Sequence, residues 1–149
     1  MKKLALAGLA LGACLAAPAA ALEHEVVIDH AAGPIAADYK GTVTIETTQV
    51  GTAGVAGRPS TLACRWSATL NVERVAKVGE TLRSHRSLTS EDVASGSRPG
   101  WCETSAKAIE ALVDTRSERM RSAMLALVEQ DRAAILAEAE SAARTGRDG

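Results

Sequence analysis

Three histidines, three cysteines and eighteen carboxylates are the side chains of this 149-residue chain with the most chemistry open to them, and their spacing decides what they could do together. His24 stands third after Ala21. A cut between Ala21 and Leu22 would leave a free α-amine, two amides able to deprotonate and the His24 imidazole, the square-planar nitrogen set that suits Cu(II) or Ni(II). Leu22, Glu23 and His24 therefore read as the chelate of a periplasmic copper or nickel binder, the alternative to the main reading below. His24 and His30 share strand parity, but the extended chain between them sets them about 20 Å apart, too far to share an ion. His85, between Ser84 and Arg86, has no nucleophile elbow near it and reads as a solvated edge or loop residue.

The acids converge no better. Glu91 and Asp92 are adjacent in a Ser-rich stretch where caps and turns use such residues. Glu129 with Asp131, and Glu138 with Glu140, lie two apart on a helix and so face different ways. Gly51, Gly54 and Gly57 do not follow the phosphate-binding G-x-G-x-x-G pattern and carry no Lys-Ser or Lys-Thr pair. The residues thus indicate no catalytic constellation, no cofactor site and no folded metal site, and the expected class is non-enzymatic.

The remaining reactive residues are thiols, and their fate depends on compartment. Lys2 and Lys3, an apolar run from Leu4 to Leu15, and Pro18 before Ala19, Ala20 and Ala21 have the layout of a signal peptide over residues 1–21. The run falls short of the ~20 residues that span a bilayer, so the mature chain 22–149 is expected to have no transmembrane segment. Export to a bacterial periplasm or beyond would oxidise Cys64 and Cys102 into a bridge. Cys14 follows Leu11, Gly12 and Ala13, the small-residue pattern that precedes a lipidated cysteine. An anchor there, holding the protein to the envelope, is the alternative to cleavage after Ala21.

Residues 22–149 make one domain of ordinary size. They hold fifteen basic against eighteen acidic residues, a formal charge of −3, and the arginines are scattered. That balance, with only two Trp, one Tyr and no Phe, argues against nucleic acid as a partner.

The elements that must position these groups are legible from periodicity. Val26, Val27 and Ile28 form a short β-branched run. From Tyr39 to Val50, Val43 and Ile45 alternate with Thr42, Thr44 and Glu46. The clearest strand runs from Thr61 to Arg74, with Leu62, Cys64, Trp66, Ala68, Leu70 and Val72 on one side. Thr81–Thr89 reads as a polar edge strand, and Ser95–Gly100 as punctuation closing a β region at 22–98. From Cys102 to Arg144 there is no Gly or Pro, and Ile109, Leu112, Val113, Met120, Met124, Leu127, Val128, Ile135 and Leu136 recur at helical spacing. The expected fold is α+β: a small antiparallel meander of three to four strands, then one long C-terminal helix over 99–145. Continuity is preferred over a kink near 114–117, where Asp114 and Glu118 repel at i,i+4.

A ten-residue strand spans about 33 Å and forty helical residues about 60 Å. A third to a half of the helix should then overhang the sheet, leaving Leu127, Val128, Ile135 and Leu136 in need of a cover. Protein binding or self-association through that helix is the expected role.

Overall fold

The computed structural model describes residues 22–79 and 82–146; the expected signal peptide over residues 1–21, Cys14 included, lies outside them. The chain forms β1 (Leu22–Ile28), β2 (Ile35–Val50), β3 (Ala63–Val78), β4 (Leu82–Pro99), α1 (Cys102–Asp114) and α2 (Ser117–Thr145). The strands make a single antiparallel meander in the order β1-β2-β3-β4, and both helices lie on one face of it. The architecture is the expected α+β, with a disulfide joining Cys64 to Cys102.

Alternation along β3 shows why this sheet has one wet and one dry face. Cys64, Trp66, Ala68, Leu70 and Val72 are buried while Arg65 and Glu73 are exposed, the two-residue period of a half-covered strand. Across β2, Thr42, Thr44 and Thr48 point the same way as Arg65 and Glu73 and are exposed. The sheet's outer surface is therefore a polar, threonine-rich plane.

Three expectations about the elements need correction. β4 continues through Ser95–Gly96 to Pro99, because pairing with β3 resumes after a bulge opposite Ala68–Leu70, and the bulge absorbs Asp92 at φ 51°. The helix is interrupted at Thr115–Arg116. Thr115 turns its hydroxyl onto the Leu112 carbonyl at 2.7 Å, the local bond that makes Thr a weak helix former, and Arg116 departs to φ −102°, ψ 24°. The third correction concerns the overhang. β2 and β3 each have 16 residues and β4 has 18, so the sheet is about 53 Å long or more, and the broken helix fits upon it. Leu127, Val128 and Ile135 are buried and Leu136 is packed against the same core; the apolar stripe is covered by the chain's own sheet.

The core has two parts. Cys64, Trp66, Ala68, Ala94, Ile109, Val113 and Met120 pack beneath α1 and the helix break. A larger cluster including Ile35, Leu70, Val72, Ile135 and Ala139 lies beneath α2. β1 is much shorter than β2: Leu22 pairs with Gly41 and Ile28 with Ile35, so among the described residues no strand pairs with Thr42–Val50 on the β1 side.

Candidate functional site

Among the described residues, the one concentration of ionisable side chains inside the molecule arises from sheet register. Tyr39, Arg74 and Arg86 are cross-strand neighbours in one row over β2, β3 and β4, all on the helix side. Two directly opposed arginines repel, and α2 supplies the compensation. Asp131 and Glu138, seven residues or two turns apart, descend from one helix face onto that row.

Arg74 and Asp131 have fully buried side chains, with Arg74 Nη1 and Asp131 Oδ2 3.3 Å apart. Arg74 Nη2 donates to both oxygens of Glu138, at 3.2 and 2.9 Å. Ser84 donates its hydroxyl to Glu138 Oε2 at 2.8 Å, and the Tyr39 hydroxyl donates to Asp131 Oδ2 at 3.1 Å. Arg86, half-exposed, closes the set from the β4 side, its Nε 3.5 Å from Asp131 Oδ1 and its Nη1 3.8 Å from Glu138 Oε1. Two cations meet two anions, so the buried cluster is neutral, as burial demands. The match is incomplete in alignment: Arg74 Nη1 and Asp131 Oδ1 lie within ion-pair range without hydrogen-bond geometry, and Arg74 Nε is buried with no hydrogen-bond partner.

Burial foremost, then the negative charge of Asp131 and its hydrogen bond, push the Tyr39 phenol well above its ordinary range, against the opposing pull of Arg74. The cluster holds this tyrosine as a neutral donor. It contains no imidazole, since His85 follows Ser84 on the opposite, exposed side of β4. Its geometry is that of a lock between sheet and helix.

At the other end of the helical layer the fastening is covalent. The Cys64–Cys102 bridge joins the inner face of β3 to the first residue of α1, as the inward parity of Cys64 and Trp66 implies. α1 has no side-chain cap of its own. Gln49 supplies one from β2: its Oε1 accepts the Cys102 N–H at 2.8 Å, while its Nε2 donates to the carbonyls of Ala63 and Gly100. Arg116, freed by the helix break, sets its guanidinium 5.2 Å from the centre of the Trp66 ring, a cation–π distance.

The histidines do not come together. His24 is half-buried on the inner side of β1, His85 is exposed, and His30 accepts the Ala32 N–H beyond the end of β1. Among the described residues no group of three or more His, Cys, Asp or Glu could hold a metal. The amino-terminal chelate would need the amides of Glu23 and His24 turned onto one ion, whereas Leu22–Ile28 is extended and paired with β2. Glu129 and Glu140 are exposed while Asp131 is buried and Glu138 half-buried, so the pairs two apart diverge as expected. The convergent pair, Asp131 with Glu138, escaped the sequence reading. Two signals could have found it: Arg74 has the inward parity of Leu70 and Val72, and Asp131 occupies the stripe of Met124, Val128 and Ile135.

The helices do not cover all of the sheet. α2 packs over β2, β3 and β4, and beside it a groove of about 240 Å³ runs against β1. Val26 and Ile28 with Leu125 and Val128 form its apolar walls, and His24, Glu129 and Arg132 stand at its margin. Leu125 is 44% exposed there. A wider hollow of about 590 Å³ near the β1–β2 turn is lined by His30, Ala31, Ala32, Glu140, Ala143 and Arg144, bringing one histidine and one carboxylate near each other without a third ligand. No helix among the described residues is long and apolar enough to cross a membrane. Neither family models, nor curated proteins, nor solved structures yield a match to this chain.

Proposed function

We propose that the protein is a non-enzymatic component of the bacterial envelope, exported with residues 1–21 removed, that acts by binding another protein along the β1 flank of α2. The observation that carries this reading is the groove between β1 and α2, where apolar Val26 and Leu125 stay partly exposed beside the edge strand β1. The rest of the helix's apolar stripe is spent on the sheet, so Leu125 is the large apolar side chain of α2 left to the exterior. Partner surfaces favour such apolar patches bordered by polar groups, here His24, Glu129 and Arg132. The bridge and the one-sided, threonine-rich sheet suit an oxidising, aqueous compartment.

A photoreactive amino acid placed at Leu125 in living cells tests the reading, with Ser87 on the outer sheet face as control. A discrete crosslinked product at position 125, absent at 87 and abolished by Val26→Asp, is expected. Equal crosslinking at both positions would sink the proposal, as would a mature protein retained in the cytoplasm.

A further inference from the structure

The two long edges of this sheet are built unlike one another. The β4 edge is interrupted by the bulge opposite Ala68–Leu70, carries Arg83, Arg86 and Arg98, and ends in Pro99, the devices that discourage a further strand. The edge of β2 from Thr42 to Val50 has none of them. Its register with β3 is uninterrupted, it holds no Pro, Lys or Arg, and its one charge is Glu46. Among the described residues it has no strand neighbour, because β1 begins at Leu22 opposite Gly41.

We infer that a second copy of this chain joins here, β2 against β2 in antiparallel order, making one eight-stranded sheet with both helical layers on the same side. A two-fold axis normal to the sheet is the operation that brings two identical edges together antiparallel, and it pairs only positions of equal parity. An axis through Ile45 would drive Gln49 into the place that the partner's Leu22 takes opposite its own Gly41. An axis through Glu46 would set two carboxylates directly opposite, which is unfavourable. An axis through Thr47 avoids both. It sets Thr44 against the partner's Val50, Ile45 against the partner's Gln49 and Glu46 against the partner's Thr48, with the two Thr47 side chains facing one another, a favourable cross-strand pair.

Thr47 lies on the helix side of β2 and is nonetheless exposed, so no helix stands over the axis. This self-match favours a second copy over an unrelated extended segment: the edge holds a single source of like-charge conflict, and one shift of register relieves it. A seam of seven paired residues is at the small end of specific interfaces, and the association is a concentration-dependent exchange.

Sedimentation of the mature protein between about 1 μM and about 1 mM should show monomer passing to dimer. Thr47→Cys should close an intermolecular disulfide in air, because directly opposed Cβ atoms lie within bridging distance, with about tenfold more covalent dimer than Thr44→Cys or Thr48→Cys, whose positions oppose other residues and which leave Glu46 in place. Thr47→Lys should abolish the dimer by setting two ammonium groups together, while leaving the unfolding midpoint of the monomer unchanged because position 47 is exposed. Leu125→Arg should leave the dimer intact, which separates this seam from the groove. A monomer throughout the concentration range, equal crosslinking at 44, 47 and 48, a dimer that survives Thr47→Lys, or one lost with Leu125→Arg would each overturn the inference.

Discussion

The two ends of the helical layer grip the same sheet by different physics. Beneath α1 the grip is covalent and apolar: the Cys64–Cys102 bridge, Trp66 under Arg116, and a cluster of small and medium side chains. Beneath α2 it is ionic and buried: Arg74, Asp131 and Glu138, with Tyr39, Ser84 and Arg86 around them. A bridge stabilises chiefly by restricting the unfolded chain, and in the folded chain it fixes one point, the start of α1, without setting the rotation of α2 beyond the helix break. A buried charge cluster contributes little net free energy when intact, because desolvation consumes most of its Coulombic gain, yet it strongly penalises any arrangement that separates its members. The covalent end fixes where the helical layer starts, and the ionic end fixes the rotation and register of α2. The first should be sensitive to reductant and tolerant of pH, the second the reverse.

The sharpest test of this division is Arg74→Ala. It leaves Asp131 buried with the Tyr39 hydroxyl and with Arg86 as its one remaining cation, and breaking a buried pair from one side costs about 3–5 kcal/mol, to be read from urea unfolding. The paired change Arg74→Met with Asp131→Leu removes both buried charges and should recover at least half of that loss, since an apolar pair in such a site is often neutral. A cost below about 1 kcal/mol for Arg74→Ala would mean that the ionic end contributes no more than a surface pair.

The covalent end is tested by Cys64→Ala with Cys102→Ala. For a sequence separation of 38, the chain-entropy estimate is about 4 kcal/mol, and bridges typically deliver 2–4. Gln49 and the apolar cluster should still hold α1 in place, so the double variant is expected to fold with native secondary structure and to lose stability without losing its pH response. Loss of α1 from the circular dichroism spectrum would instead assign the bridge a role in native order.

What could be read in advance divides along the same line. The bridge follows from two residues and an expected oxidising compartment, and the inward face of β3 from strict alternation, because both depend on residue type and period alone. The ionic end does not follow from either habit of reading. Arg74 sits on the apolar side of its strand and Asp131 on the apolar stripe of its helix, and each becomes intelligible only when register sets Tyr39, Arg74 and Arg86 in one row. The extent of β4 escaped for a related reason: Ser95–Gly96 has turn composition, but Gly96 is a place of close approach, lying against the Trp66 indole. The helix does not overhang because each strand extends past its alternating segment, pairing carrying the polar ends along.

Gly96 gives a finer probe of the covalent end. A Cβ at this position would lie 2.9 Å from Trp66 Nε1 and 3.0 Å from the neighbouring ring carbons, closer than packed atoms tolerate. Trp66 is buried and carries Arg116 on its ring, so it cannot withdraw freely. Gly96→Ala should cost about 1–3 kcal/mol through overpacking, and loss of the cation–π arrangement should shift the Trp66 fluorescence. An unchanged midpoint would show that the indole has room to move.

The smallest effect separates the two ends by pH. Tyr39 is buried and its phenol is held neutral, its proton affinity raised mainly by desolvation and then by Asp131. In the unfolded chain the same group ionises near 10. A folded value above the unfolded one means that the contribution is fully present below about pH 10 and is lost as pH rises beyond it, because the unfolded state then releases a proton that the folded state retains. The slope for one such group is at most about 1.4 kcal/mol per pH unit. Tyr39→Phe should cost about 1 kcal/mol at neutral pH by removing the hydrogen bond to Asp131, and it should flatten the decline in unfolding free energy above pH 10. Gly96→Ala, whose defect lies at the other end, should keep the full alkaline slope of the parent. If the Phe variant and the parent decline in parallel above pH 10, Tyr39 is ionising in the folded protein as it does in water, and the ionic end is open to solvent, contrary to the closed lock described above.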